Sequence, residues 1–259
     1  MNPASPVEIV SAHSPDSDDA FMFYVLATKK VRSSKVVFKH VLSDIETLNR
    51  KAMEGVYELS AISYHAYPYV ADKYVLMASG SSIGDGYGPM IIANRPMEPE
   101  ELKGKRIAIP GKMTTAFLAC KLFQPDFEPV VTPFDKIMDA VRERSVDCGL
   151  IIHEGQLSFE REGFHRVVDL GRWFKGVYGL PLPLGGNVLL RSLDAIRNGG
   201  VASTGCIGNR IYTEIGDDEL YISLRGSTID RVAAELDTIQ SANQTLLTYH
   251  QERKAQLTS

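Results

Sequence analysis

Short apolar runs alternate along this chain with segments whose apolar positions recur at helical spacing, the signature of α/β architecture. Val7–Ala12 is mostly apolar and predicts a strand; His13–Asp18 is polar and turn-like. Asp19–Lys29 carries Phe21, Phe23, Tyr24, Val25 and Leu26 and predicts a buried helix. Lys35–Leu42 is β-branched and strand-like. Ser43 and Glu46 have the spacing of a capping box, so a helix is expected from there to Glu54, closed by Gly55. Tyr57–Ile62 reads as the next strand.

The same order returns about 90–95 residues later. Arg106–Pro110 is a strand, Gly111–Met113 a loop and Thr114–Phe123 a helix; Glu128–Thr132, Phe134–Arg144 and Asp147–Ile152 follow as strand, helix and strand. Two lobes of one α/β pattern are therefore expected, with a cleft between them. Lobe 1 is drawn as residues 1–93 with a return at about 187–259, and lobe 2 as 94–186; residues 72–95 and 183–192 are the natural crossings. Tyr74–Ala78 and Met90–Ala93 are strand-like within the first crossing. Beyond it, 200–259 forms an atypical C-terminal segment: a turn at Arg197–Gly200, a strand at Glu219–Leu224, and a long helix from Ser227 to about Lys254.

Composition narrows the function classes. The 259 residues are 44% hydrophobic and 23% charged, the balance of a globular chain rather than a disordered or collagen-like one. Lys+Arg number 28 against 32 Asp+Glu, so there is no basic surplus to neutralise a nucleic acid. No stretch reaches the roughly 18–20 apolar residues that span a bilayer, so no membrane partner is expected. Met1–Pro6 lacks the charged and apolar regions of a secretory signal, which predicts a cytoplasmic protein. Cys120, Cys148 and Cys206 are widely spaced and read as reduced, buried thiols. The pattern carries no signal for an oligomeric state.

In open α/β sheets ligands bind beyond the carboxyl ends of the strands. Four segments qualify, from both halves: His13–Asp19, Ser63–His65, Pro110–Thr115 and His153–Glu154. Thr114 and Thr115 open a helix after a glycine-containing loop, where free N–H groups and two hydroxyls suit a carboxylate or phosphate; an ordinary threonine cap is the plainer reading. Ser63 ends a strand and can donate in the same way. His153 follows the buried-type run Gly149–Ile152 and suits a general base, against the alternative of a core histidine. His65 lies in an aromatic run and is expected to pack. Asp16, Asp18 and Asp19 with His13 invite a metal, but caps for a helix N-terminus are the better reading. Gly80–Gly84 matches G-x-S-x-G literally, yet no helix follows the serine; a hinge or cleft-lining loop fits it better than a hydrolase elbow.

Several motifs in one order resemble a known family. S-P-D-S-D-D-A-F (Ser14–Phe21), D-I-E-T-L-N-R (Asp44–Arg50), A-I-S-Y-H-A-Y (Ala61–Tyr67), G-Y-G-P (Gly86–Pro89), P-G-K-M-T-T-A (Pro110–Ala116), G-L-I-I-H-E (Gly149–Glu154) and G-L-P-L-P-L-G (Gly179–Gly185) look like 1,4-dihydroxy-6-naphthoate synthase of the futalosine route to menaquinone. The resemblance covers roughly residues 7–196. It implies a two-lobed fold like the type 2 periplasmic binding proteins, working as a cytoplasmic lyase on cyclic dehypoxanthinyl futalosine, a small-molecule carboxylate. Carried over by motif, His153 is the proton acceptor. Thr114 and Thr115, Ser63 with the backbone of Ala61 and Ile62, and Asn49 are the substrate contacts. No metal and no organic cofactor are implied. The tail departs: Gly205–Tyr221 and the helix after it resemble the end of a different, uncharacterised family. A chorismate-dehydratase-like relative is a further reading, opposed by the histidine in Gly149–Glu154. A non-catalytic small-molecule binder and an inactive remnant, the latter suggested by the tail, also stay open.

Overall fold

A computed structural model describes residues 6–30, 32–33, 36–152 and 155–193. The turn, strand and helix expected beyond Arg197, and Cys206, lie outside the described residues.

In chain order the elements are β1 (Val7–His13), α1 (Ser17–Ala27), β2 (Val36–Leu42), α2 (Ile45–Glu54), β3 (Leu59–Ser63), β4 (Tyr74–Gly84), β5 (Met90–Ala93), β6 (Arg106–Ile109), α3 (Thr115–Phe123), β7 (Glu128–Val131), α4 (Ile137–Arg142), β8 (Cys148–Ile151), α5 (Gly155–Ser158), β9 (His165–Asp169), α6 (Leu170–Tyr178) and β10 (Leu182–Leu190). They form two five-stranded sheets, ordered β2-β1-β3-β10-β4 and β7-β6-β8-β5-β9. In the first, β1 pairs parallel with β2 and β3, and β10 runs antiparallel between β3 and β4. In the second, β6 pairs parallel with β7 and β8, and β5 runs antiparallel between β8 and β9. The two sheets thus have one topology, as the echo in the sequence predicts. Each takes its fourth strand from a segment that crosses between them. Because β5 pairs with β8 and β9, the first crossing is residues 85–89, short of the boundary expected at 93.

The strands alternate their side chains across each sheet, and helices cover both faces. In the second sheet Ile91, Ile107, Ile109 and Leu150 face α3 and α6, meeting Ala116, Ala119, Cys120 and Leu170. Ile92, Ala108 and Ile151, each one residue out of step, face Ile137 and Val141 of α4. In the first sheet Ile9, Leu59 and Leu189 pack with Phe23 of α1, while Ile62 and Val188 pack with Ala52 of α2. Cys120 and Cys148 are free and buried, and burial pushes both thiols up to about 12. Among the described residues no helix is long and apolar enough to cross a membrane.

Several boundaries differ from expectation: β4, expected over Tyr74–Ala78, runs on to Gly84, and α1 starts at Ser17 rather than Asp19. The α2 cap is Asp44, whose side chain accepts the Thr47 N–H at 2.9 Å, not Ser43. Glu46, expected to close a capping box, is turned away to the second lobe, and Gly55 ends the helix in the left-handed region as anticipated. The helix expected over 134–144 splits into a 3₁₀ turn at Phe134–Lys136 and a short α4.

At the carboxyl end of β1, His13 is buried and stacked on Phe23 with ring centroids 4.2 Å apart. Its Nδ1 lies 3.1 Å from the Ser14 carbonyl, which can only accept, so Nδ1 carries the proton. Nε2 then accepts from His40 Nδ1 at 3.1 Å, and His40 Nε2 is a buried lone pair with no donor among the described residues. A second proton on the pair ends on His40 Nε2, which has no acceptor among the described residues. Burial therefore lowers both histidines below their ordinary 6.5, and His13 adds to the lowering at His40. Unfolding releases both rings to titrate normally, so the unfolded chain binds more protons below about 6.5 and folded stability falls on acidification. The melting temperature should drop between about pH 8 and about pH 5, and drop less in His40→Gln, which keeps a neutral donor. Equal pH slopes in calorimetry of the two proteins would contradict the assignment.

Candidate active site

The carboxyl ends of β1, β3, β6 and β8 converge between the two sheets, where a cavity of about 380 Å³ opens. That is within the usual size of a small-molecule site. Ser14, Asp16 and Asp19 line it from the start of α1, and Ala61–Ser63 from the end of β3. Thr114–Ala116 line it from the second lobe, with Ile152, Gln156 and Leu157. The crossing strand adds Leu184–Asn187, and Gly80, Ser82 and Tyr87–Pro89 close the remaining wall. The Gly80–Gly84 segment is thus cleft wall, though within a strand rather than a loop.

The second lobe's loop is clasped by the first. Met113 N–H donates to Glu46 Oε2 at 2.9 Å, and the Met113 carbonyl accepts from Asn49 Nδ2 at 3.3 Å. Glu46 is buried and also takes Arg50, 2.9 Å away, on its other oxygen. The loop fits because residue 111 is glycine: a Cβ there would stand 2.2 Å from Glu46 Oε2 and 2.3 Å from its carboxyl carbon. His65 joins the clasp, donating its N–H to Thr115 Oγ1 at 3.1 Å and placing Nδ1 3.2 Å from the Thr114 carbonyl. Its ring packs edge-on to Tyr69, as the aromatic run predicts.

These bonds reassign several expected contacts. The Thr114 hydroxyl donates to the Gly111 carbonyl at 2.9 Å and accepts the Phe117 N–H at 3.2 Å, so it is a helix cap. The Thr115 hydroxyl donates to the Leu184 carbonyl at 2.6 Å and accepts from His65. Neither hydroxyl keeps its proton for a ligand. The amides of Thr115 and Ala116, which open α3, have no helical carbonyl to reach. Asn49 is fully buried behind the wall rather than on it: Oδ1 accepts the Ser63 N–H at 2.8 Å and Nδ2 donates to Ser63 Oγ at 3.0 Å. Because Ser63 Oγ already accepts, its own O–H is left to donate into the cavity it lines. Ala61 and Ile62 lie in the wall as expected.

Asp19 Oδ2 accepts the Ser14 N–H at 2.6 Å and so braces the β1–α1 turn, whereas Asp16 holds the N-cap position of α1 without the side-chain cap bond expected of it. His153 and Glu154 lie outside the described residues. The sequence reading missed Asn187, whose place depends on pairing with strands more than 100 residues away.

Two sheets of one topology, crossed twice by the chain and enclosing a cavity at the strand ends, define the fold of the two-lobed periplasmic binding proteins. Solved structures agree. The alkanesulfonate-binding protein SsuA from Xanthomonas axonopodis pv. citri matches with a TM-score of 0.58 over 96% of this chain and 94% of its own, at 14% identity. A protein of Archaeoglobus fulgidus matches with a TM-score of 0.69 over 92% of this chain and 98% of its own, at 38% identity. Residues 9–204 match a family described as menaquinone biosynthesis, and the chain belongs to that family. It is 43% identical over 189 residues to the 1,4-dihydroxy-6-naphtoate synthase of Thermus thermophilus, covering 70% of this chain and 68% of that protein. It is 35% identical over 190 residues to the enzyme of that name from Streptomyces coelicolor, covering 71% and 66%. The chain thus spans about two thirds of the length of these relatives.

The clasp makes a direct prediction. Gly111→Ala should destabilise the protein by about 1–3 kcal/mol through overpacking against Glu46. Gly176→Ala, in α6 with nothing within 4 Å of a new Cβ, should be neutral or stabilising by up to about 1 kcal/mol. Urea unfolding of the two variants would contradict this if their effects were equal.

Proposed function

We propose that this chain is a cytoplasmic carbon–carbon lyase that converts cyclic dehypoxanthinyl futalosine to 1,4-dihydroxy-6-naphthoate in menaquinone biosynthesis. The observation that carries the reading is the polarity of the cavity. The open amides of Thr115 and Ala116 and the O–H of Ser63 are donors in a wall that also has apolar surface from Ile45, Ala61, Ile62 and Leu184, while the carboxylates of Asp16 and Asp19 line it from the start of α1. A flat aromatic acid meets those demands: its ring takes the apolar surface and its carboxylate the helix N-terminus.

His153 is the proton acceptor in this proposal. Ile152 and Gln156, which flank it in the chain, line the cavity, and an imidazole with a pKa of about 6.5 is mostly neutral and able to take a proton near pH 7. Removing a proton from the bound substrate lets the spiro ring collapse, the sugar fragment leave and the second ring become aromatic. Aromatisation supplies much of the driving force, so the protein has two tasks: to hold the acid end still and to receive one proton. A base of this kind contributes about 10²–10⁴-fold; fixed orientation within a closed cavity supplies a further large factor. Asn49 is a positioning residue, since it acts by fixing Ser63 and the Met113 peptide. No metal or organic cofactor enters the scheme.

His153→Ala should lower turnover of cyclic dehypoxanthinyl futalosine by about 100-fold or more, with the affinity for 1,4-dihydroxy-6-naphthoate within about threefold of wild type. Naphthoate absorbance under anaerobic conditions reports the first, and calorimetric titration the second. Wild-type turnover in the variant would overturn the base, and substrate binding without any turnover by the wild type would overturn the lyase in favour of a binding protein.

A further inference from the structure

The cavity wall carries a second serine in line with Ser63. Ser63 of β3 pairs with Gly185 of β10, and Gly185 pairs with Ser82 of β4, so the three form one row across the first sheet. Residues paired in this way stand on one face. It is the face covered by α1, because Leu59 and Leu189, each four residues from the row along its own strand, pack on Phe23. Met22 of the same helix lines the cavity with all three members of the row. Ser81 takes the other face, as alternation along β4 requires: its hydroxyl meets the Tyr64 hydroxyl. A Cβ on Gly186, the ladder partner of Ser81, would come 2.9 Å from that same phenol oxygen.

Ser82 is half-buried, and its hydroxyl makes no hydrogen bond within the described residues. Its oxygen is not among the shielded polar atoms, so it keeps surface that a ligand can reach. The phenol of Tyr87, which lines the wall as well, is committed elsewhere, donating to the Ile83 carbonyl at 3.3 Å. Between the two serines the wall is bare backbone. Residue 185 has to be glycine there, since a Cβ would stand 2.9 Å from the Ile62 carbonyl oxygen. Two strand spacings separate Ser63 from Ser82, about 10 Å. A molecule of two fused rings can lie over Gly185 across that span, with a polar group toward each hydroxyl.

We infer that Ser82 is a specificity-determining residue that hydrogen-bonds a ring oxygen of the bound molecule at the end remote from its carboxylate. The inference rests on the naphthoate-forming reading and deepens it. The row then has two unlike ends: Ser63, beside the open amides of α3, for the acid, and Ser82 for the far oxygen. A serine hydroxyl donates to a carbonyl and accepts from a hydroxyl, so Ser82 takes that oxygen in either form. Held at both ends, the molecule keeps its reacting carbon in one place over Gly185. An analogue that has the acid but lacks the far oxygen forfeits this bond and binds more weakly.

The test titrates 1,4-dihydroxy-6-naphthoate and the hydroxyl-free 2-naphthoate anaerobically into wild type, Ser82→Ala and Ser81→Ala. Wild type should prefer the dihydroxy acid by about fivefold or more. Ser82→Ala should weaken the dihydroxy acid about fivefold and leave 2-naphthoate within about twofold. Ser81→Ala, on the other face of the same strand, should leave both within about twofold. Equal wild-type affinities, no loss in Ser82→Ala, or an equal loss of both acids (the mark of a scaffold role) would each overturn the inference. So would a loss in Ser81→Ala that matches the one in Ser82→Ala. A crystal structure of the wild-type complex with no ligand oxygen within about 3.2 Å of Ser82 Oγ would overturn it without any variant. Wild type that binds neither acid would remove the naphthoate reading and this inference with it, whereas wild type that binds both equally would remove the inference alone.

Discussion

The two halves of this protein are clasped at the backbone around Met113. Met113 is gripped on both sides by the other lobe, its N–H by Glu46 and its carbonyl, in the next peptide group, by Asn49. Both grips come from α2, one turn apart on the same helix face. The grip sets where α3 begins, and α3 begins at the cavity. Its two open amides are therefore aimed by a contact made across the cleft rather than within their own lobe. Loss of a buried partner in such a network costs about 1–3 kcal/mol because the group left behind keeps its desolvation penalty. Glu46 is unsuited to a capping box here because its carboxylate is needed at that peptide, and Asp44, two residues earlier, takes the cap.

This arrangement explains how a binding-protein fold acquires a directional site. The threonine pair that draws attention in the sequence is structural at its hydroxyls, and the proposed contact to the acid falls to the amides of Thr115 and Ala116. Ser63 gains a defined donor direction because Asn49 saturates it from behind. Asn187 is tied to β4 through the bond from its amide nitrogen to the Gly80 carbonyl. At Ser63 the group that fixes the hydroxyl, Asn49, lies outside the cavity. Hydroxyl and amide groups that could face either way are given one way to face, which is preorganisation built from ordinary hydrogen bonds.

Local pattern made much of this legible. Strands such as Val7–His13, Arg106–Ile109 and Cys148–Ile151 are short apolar runs, and the helix fed by the second carries its own cap at Thr114. That was enough to see two matching lobes and to place the cavity at the strand ends. Pairing over long distances was not legible. β10, rich in proline and glycine at its start, reads as a connection, yet it completes the first sheet between β3 and β4. β9 and α6 were missed because His165 and Arg166 dilute the strand run and the helix interior holds Gly171 and Gly176. Asn187 shows the limit most clearly: nothing near it in the chain marks it, and its place in the cavity wall follows from a bulge opposite Gly80. A histidine pair such as His13 and His40 is equally silent until two parallel strands bring the rings together.

The central claim is that the acid end of the ligand sits on the open amides of α3. Amide-resolved NMR during titration with 1,4-dihydroxy-6-naphthoate tests it at the atoms concerned. The account requires the Thr115 and Ala116 N–H resonances to move downfield in step with saturation, ahead of amides elsewhere in the second lobe. Saturable binding that leaves those two resonances in place would contradict it.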